Sequence, residues 1–343
     1  MEQKKNIKDF SLEELESYIV QNKLPKFRAG QIFDWIYKDV ESFEQMTNLS
    51  KELISKLKQE FYIGRAAIEV KLVSKEDKTR KYLLKLEDGN AVECVLMEYS
   101  YGKTICISTQ VGCRMNCAFC ASAIGGLTRH MTSGEMLEEV MAVSRDIGER
   151  ISNIVLMGTG EPFDNYKEVI KFLRTVNNQK GMNVGQRHIT ISTSGLVPKI
   201  LEFAEEELQC TLAISLHAAD NPTRNTLMPI NKKYKIEELM DACRQYIKKT
   251  NRRITFEYAL IKDINDNEES AYKLSNLLRG MLCHVNLIPI NKVEEKVFEK
   301  ANKTAIDKFK SILESNGIEA TVRRELGSDI NAACGQLRQQ YGM

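Results

Sequence analysis

Residues 107–126 read ISTQVGCRMNCAFCASAIGG. Cys113, Cys117 and Cys120 fall there in a C-x3-C-x2-C spacing, after a strand-like run and before a helix-like run that starts near Ser133. A structural zinc site takes four ligands, commonly from paired C-x2-C knuckles or with histidines. No fourth cysteine lies close by, and the nearest histidine, His130, is ten residues beyond Cys120. Three thiolates suit a [4Fe–4S] cluster that leaves one iron open to an outside ligand. The amino and carboxylate groups of S-adenosylmethionine can chelate that iron, and an electron from the cluster then cleaves the sulfonium to release a 5′-deoxyadenosyl radical. Zinc binding and plain buried thiols are the competing readings of the same three residues.

Working outward, the chain alternates two kinds of segment from about residue 103. Short β-rich runs stand at KTICIST, ISNIVLMG, RHITIST, CTLAISLHA, RRITFEYALI, HVNLIPIN and IEATVRR. Longer amphipathic stretches separate them, such as SGEMLEEVMAVSRDIG, whose start Thr132 or Ser133 would cap with Glu135 and Glu138 near its positive end. This alternation predicts βαβ units on a parallel sheet, either doubly wound or curled into a full or partial barrel. In both folds the loops after the strand C-termini carry the chemistry. The cysteine loop, GTGEP (158–162), STSG (192–195), SLHA (215–218) and PIN (289–291) all occupy such positions and predict one shared mouth.

Before residue 100 the pattern changes. SLEELESYIVQNKL, RAGQIFDWIYK and SKELISKLKQEF read as amphipathic helices, the first opening with a capping box of Ser11 and Glu14. Residues 66–98 read as strands turning at EDGN. The expected organisation is an N-terminal helical domain (1–62), a β extension (63–98), the α/β unit (99–329) and a C-terminal segment (330–343).

Of the 343 residues 43% are hydrophobic and 28% charged, the balance of a globular chain with a sizeable core. No apolar stretch has the length of a bilayer span, and MEQKKNIKDF opens without a signal pattern, so the expected location is cytoplasmic. In that reducing compartment the nine cysteines form no disulfide framework, and Cys94, Cys210, Cys243 and Cys283 read as small buried hydrophobes. The net charge of +2 is neutral as to partner, although residues 58–85 carry eight Lys/Arg against four Asp/Glu. A solvated face is the plain explanation of that stretch.

CRMNCAFC resembles the radical S-adenosylmethionine signature. Together with VECVLM, ICISTQVGC, GTGEP, STSG, SLHA and DINAACGQL, it is similar to the dual-specificity adenosine-C2 methyltransferases of 23S rRNA and tRNA. The resemblance runs from about residue 10 to the C-terminus. It implies a partial (β/α)6 barrel of radical-SAM type, with the N-terminal domain and β extension helping to hold RNA. It also implies a [4Fe–4S] cluster on Cys113, Cys117 and Cys120, and two S-adenosylmethionine molecules per turnover. Adenine C2 is an electron-poor amidine carbon that does not attack a sulfonium methyl. The chemistry implied is therefore covalent and radical: one S-adenosylmethionine methylates a cysteine, the second activates that methyl, and the carbon adds to the ring.

By the same resemblance Cys334 is the methyl carrier. Cys106 is the resolving thiol that releases the RNA by closing a disulfide with it, and Glu93 is the acid–base residue. Gly160 and Glu161 would contact the cofactor's amino group. Ser192, Ser215, Leu216 and His217 would contact its ribose and adenine, and Asn291 matches a late-strand contact. Thr159 stands where the family usually has Met, and ASA follows the last cysteine where ATG or STG is common. The cluster ligands are unaffected by either change.

The resemblance brings RNA as partner, a flavodoxin or ferredoxin as electron donor, and a monomer without membrane contact. The basic stretch, including Lys78, Arg80 and Lys81, then becomes an expected phosphate footprint beside Trp35 and Tyr37, with Arg323 and Arg324 near the target base. Three other readings compete: a sister enzyme that methylates adenine C8, a radical activase, and a zinc-binding RNA adaptor.

Overall fold

The computed structural model describes residues 4–291, 296–332 and 335–337. The N-terminal runs form β1 (Lys5–Asn6), α1 (Leu12–Gln21), α2 (Phe27–Tyr37), α3 (Lys51–Glu60) and β2 (Phe61–Tyr62), with β1 and β2 paired in parallel. Ser11 caps α1 through the expected box with Glu14. The apolar faces, including Leu15, Ile19, Phe33, Ile36 and Leu57, close on a core of their own.

Three antiparallel strands follow, β3 (Ala67–Val73), β4 (Arg80–Lys85) and β5 (Ala91–Tyr99), and β5 pairs antiparallel with β6 (Gly102–Cys106). Next comes a feature the sequence pattern did not announce. β7 (Gln110–Gly112) and β8 (Leu127–His130) pair as a short ribbon that ties the two ends of the cysteine loop. The remaining elements are α4 (Ser133–Ile147), β9 (Asn153–Leu156), α5 (Tyr166–Asn177), β10 (Ile189–Thr193), α6 (Val197–Glu205) and β11 (Thr211–Ser215). After them lie α7 (Asn221–Leu227), α8 (Ile236–Thr250), β12 (Ile254–Leu260), α9 (Glu268–Leu278), β13 (Cys283–Pro289), α10 (Lys303–Ser315) and β14 (Ala320–Val322).

The sheet order is β14-β13-β12-β11-β10-β9-β6-β5-β4-β3, parallel from β6 to β14. A doubly wound sheet reverses its strand order at a switch point. Here the parallel strands follow chain order without reversal, so the helices accumulate on one face and the sheet curls around the other. β3 and β14 stand at opposite ends of the order, so the curl is a partial barrel of six β/α units, β6–α4 to β13–α10. No helix among the described residues is long and apolar enough to cross a membrane.

The helical domain docks on α4. Thr132 caps that helix in a box with Glu135, and the Asp9 side chain accepts the Gly134 amide at 3.0 Å. Buried Lys8 pairs with Glu138, and Arg145 pairs with Asp39. Tyr37 packs against both cores, which takes it out of the expected RNA face.

The basic stretch also needs correction. Lys58, Arg65, Lys71, Arg80, Lys81 and Lys85 are ion-paired with Glu44, Asp39 and Glu41, Asp146, Glu98, Glu93 and Glu69 respectively. Lys81 is buried. Six of the eight cations thus face carboxylates, five of them supplied from outside the stretch, which a local charge count cannot see, and Lys81 is no phosphate contact.

Candidate functional site

The cysteine loop is anchored at both ends and in its middle. Cys113 N–H donates to the Gly126 carbonyl at 2.9 Å, and Ala118 N–H donates to Leu227 O of α7 at 2.8 Å. A Cβ on Gly112 would lie 2.0 Å from the Gly126 oxygen, and its φ is +77°, so the ribbon closes only with glycine there. Cys113, Cys117 and Cys120 border one open cavity of about 970 Å³, its solvent-filled mouth included. Among the described residues no three His, Cys, Asp or Glu side chains draw together as around a single metal ion. The cavity the three thiols border has room for a group larger than one ion and for an organic ligand beside it. Burial pushes the Cys113 thiol up to about 12, and burial with the neighbouring cysteines pushes Cys117 well above the ordinary thiol range. Both become thiolates only when a cation binds there.

The same cavity is lined by Gly160, Glu161, Ser192, Ser215, His217 and Asn291. Gly160 has φ +114°, and a Cβ on it would fall 2.7 Å from the Thr109 hydroxyl. The Glu161 carboxylate accepts the Phe163 amide at 3.0 Å and the Ser194 amide at 2.7 Å. Burial raises its pKa against those bonds, so an ammonium arriving beside it would restore the charge. Ser192 and Ser215 hydroxyls lie 3.3 Å apart on adjacent strands. His217 takes the Ala259 amide on Nδ1 at 2.9 Å, which leaves its proton on Nε2 as a donor. Burial holds its pKa down to about 3, so it is neutral, and the Phe119 ring meets it edge-on. Leu216 differs from the rest: its side chain is buried in the main core and its amide donates to Glu257 O.

A second cavity adjoins the first. It is bordered by Cys106, Val95, Met97, Arg324, Leu326, Ala332 and Leu337, and it shares Met157, Ile288, Asn291 and Arg323 with the cysteine cavity. Cys106 ends β6, opposite Val95 of β5, and its side chain packs under the C-terminal segment with Leu326, Ala332 and Leu337. That segment also touches the cysteine loop, because Gly335 O accepts the Ala121 amide and Leu337 O accepts the Ser122 hydroxyl. Cys334 itself lies outside the described residues. Glu93 does not border either cavity: it lies on β5 two residues before Val95, buried and ion-paired with Lys81 at 2.8 Å. Residues 93, 95 and 97 share one face of β5, the face that carries Cys106.

Sequence reasoning passed over the residues that hold these loops in place. Arg224 is fully buried on α7 and donates to the carbonyls of Ser194, Ser215 and Leu216 and to Asn231, at 2.7–3.2 Å. Asn265 donates to the carbonyls of His217 and Ala259. Glu257, its pKa raised by burial, lines the cysteine cavity and takes a bond from Asn286 at 2.9 Å. Polar residues inside NPTRNTL or DINDN give no local signal of burial. An apolar run broken by one glutamate, ITFEYALI, was the available hint for Glu257.

Residues 107–274 match the radical SAM superfamily, and residues 5–63 match the ribosomal RNA large subunit methyltransferase N-terminal domain. The chain is 59% identical over 338 residues to a probable dual-specificity RNA methyltransferase RlmN of Clostridium perfringens, covering 98% of this chain and 97% of that one. It is 58% identical to the protein of the same name from Thermoanaerobacter, covering 98% of both. The crystal structure of a radical SAM methyltransferase from Sphaerobacter thermophilus superposes with a TM-score of 0.92 at 43% identity, over 97% of this chain and 99% of that one. With the cysteine cavity, the accessory domain and near-complete coverage in agreement, the chain belongs to the radical SAM family of dual-specificity RNA methyltransferases.

Proposed function

We propose that this chain methylates C2 of an adenine in 23S rRNA and in tRNA, through a methylated cysteine and with two S-adenosylmethionine molecules per turnover. The observation that carries the reading is the pair of adjoining cavities: three thiols border one, Cys106 borders the other, and Met157, Ile288, Asn291 and Arg323 form their common wall. When bound, the [4Fe–4S] cluster and S-adenosylmethionine supply the electron, the methyl group and the hydrogen-abstracting radical.

The residues divide the remaining work. Cys113, Cys117 and Cys120 hold the cluster. Gly160 leaves space for the cofactor's amino end and Glu161 faces it with charge. Ser192, Ser215 and the Nε2–H of His217 offer bonds to the ribose and adenine, Leu216 contributes through its backbone, and Asn291 closes the far wall. Cys334 carries the methyl group, as the family motif implies. Glu93 takes the proton that leaves the ring carbon, and the electron left on the adduct would return to the cluster. The Cys106 thiolate then attacks the carrier's sulfur, the carbon–sulfur bond breaks, the released carbon takes up a proton to become the methyl group, and a Cys106–Cys334 disulfide closes. The target base has to leave its stack to enter such a mouth. Residues 1–62 and the 63–98 extension would hold the folded RNA, and the match of residues 5–63 to a ribosomal RNA methyltransferase domain supports that role. In this reading the enzyme works as a monomer in the cytoplasm, reduced by a flavodoxin or ferredoxin.

The test is methyl transfer by anaerobically reconstituted protein, wild type and Cys334→Ala, on an RNA fragment, read by nucleoside mass spectrometry. The expected result is 2-methyladenosine from wild type and none from the variant. 8-Methyladenosine would move the chain to the sister C8 reaction, and unmodified RNA with S-adenosylmethionine still cleaved would refute the RNA site.

A further inference from the structure

Lys81 and Glu93 form an ion pair of 2.8 Å with side chains only 4% and 1% exposed. The same Lys81 ammonium donates to the Asn331 carbonyl at 3.2 Å. Asn331 (φ +51°) ends the turn at Ser328–Ile330. That turn is tied twice more to the β3–β4 connection: Asp77 accepts the Gly327 amide at 2.8 Å and Asp329 accepts the Lys75 amide at 3.0 Å. Of these three bonds, the one from Lys81 comes from a group that also pairs with a carboxylate on β5. Cross-strand partners share a sheet face. Lys81 opposes Val95 and Val95 opposes Cys106, so lysine, carboxylate and thiol lie on one face. A buried ion pair is seldom more stabilising than apolar side chains of the same size, and apolar Leu83, Val95 and Met97 surround this one. Stability alone does not account for it.

We propose that Lys81 is a positioning residue of the methyl-transfer site: one ammonium holds the Glu93 carboxylate ionised and aimed along the Cys106 face, and ties the turn that covers that face. The inference rests on the reading of Glu93 as the acid–base group. The other ionisable groups nearby are Cys94 next along β5, Cys106 on β6, Glu139 of α4 behind the sheet, and Arg323, Arg324 and Glu325 around the cavity. Lys81 is in direct contact with the carboxylate. Without it, burial favours the protonated form of Glu93, which cannot accept a proton.

The test compares wild type, Lys81→Met, Lys81→Arg and Glu93→Gln in single-turnover RNA methylation across pH, with S-adenosylmethionine cleavage measured in parallel. For Lys81→Met the acid limb of the methylation profile moves up by at least about one pH unit, cleavage stays within about twofold of wild type, and Lys81→Arg returns the limb toward its original place. In the protein without cofactors, amide exchange at Ala332 rises about tenfold in Lys81→Met. A Lys81→Met profile that superimposes on wild type while Glu93→Gln is inactive overturns the inference, as does unchanged exchange. A Glu93→Gln enzyme that methylates normally removes the acid–base reading on which it rests. Should Lys81→Met not fold, Lys81→Gln must show the same profile shift, and an unshifted limb overturns the inference equally.

Discussion

At the cofactor side of the mouth each loop is anchored from within the barrel, whereas at the transfer side the closing segment is anchored to a hairpin 250 residues earlier in the chain. On the first side Arg224 collects the carbonyls after β10 and β11. Asn265 ties the end of β11 to β12, and Asn165 ties Thr109 O to Met131 O around the cysteine loop. On the second side Asp77, the Lys75 amide and Lys81 clasp residues 327–331 through three long-range bonds. A cavity walled by buried bonds within the barrel is formed before its ligand arrives. A cover held by a few long-range bonds can be opened without unfolding the barrel, as a bulky RNA substrate requires.

The sharpest break of the comparison is Cys117→Ala. It removes one of the three proposed cluster ligands, so reconstituted protein should lose its iron, its labile sulfide and all S-adenosylmethionine cleavage, while circular dichroism shows the barrel intact. Retained iron would mean that the thiols of this cavity do not hold the cluster. Next is Arg224→Met, which orphans four buried acceptors on the cofactor side. It should destabilise the protein by about 3 kcal/mol or more in chemical denaturation, and S-adenosylmethionine binding should weaken even where the fold survives.

The smallest effect belongs to the transfer side. Asp77→Ala removes one charge-assisted bond of the clasp, which costs about 1 kcal/mol and shows as faster exchange of the Gly327 amide with the barrel unchanged. Burial raises the Asp77 pKa, but bonds from Thr79, Gly327 and Ser74 outweigh it and hold the carboxyl below its usual value. Its contribution is therefore full above the ordinary carboxylate pKa and is lost as pH falls through the depressed value. The protection factor of the Gly327 amide should fall as the solution is acidified past pH ~4, earlier than protection in the β9–β12 core.

The same contrast explains what could be read in advance. The seven barrel strands, the cysteine loop and the GTGEP, STSG and SLHA positions are each encoded within a dozen contiguous residues, so period and spacing reveal them. β7 and β8 are three and four residues long, too short for an alternation to register. Lys81 read as one cation in a basic run because its carboxylate sits on another strand and its carbonyl partner 250 residues away. Arg224 was passed over for the same reason: its carbonyl partners at 194, 215 and 216 lie on other segments. The chemistry of the site was legible where it is local, and its support was hidden where it is assembled by the fold.

The central claim, a protein–RNA link resolved by the thiol beside the cofactor cavity, is tested most directly by Cys106→Ala. Anaerobically reconstituted wild type and variant would be incubated with RNA and S-adenosylmethionine, and the products resolved by denaturing electrophoresis and nucleoside mass spectrometry. The account predicts free RNA bearing 2-methyladenosine from wild type, and from the variant a covalent protein–RNA adduct with almost no released product. Normal release of methylated RNA by Cys106→Ala would contradict it.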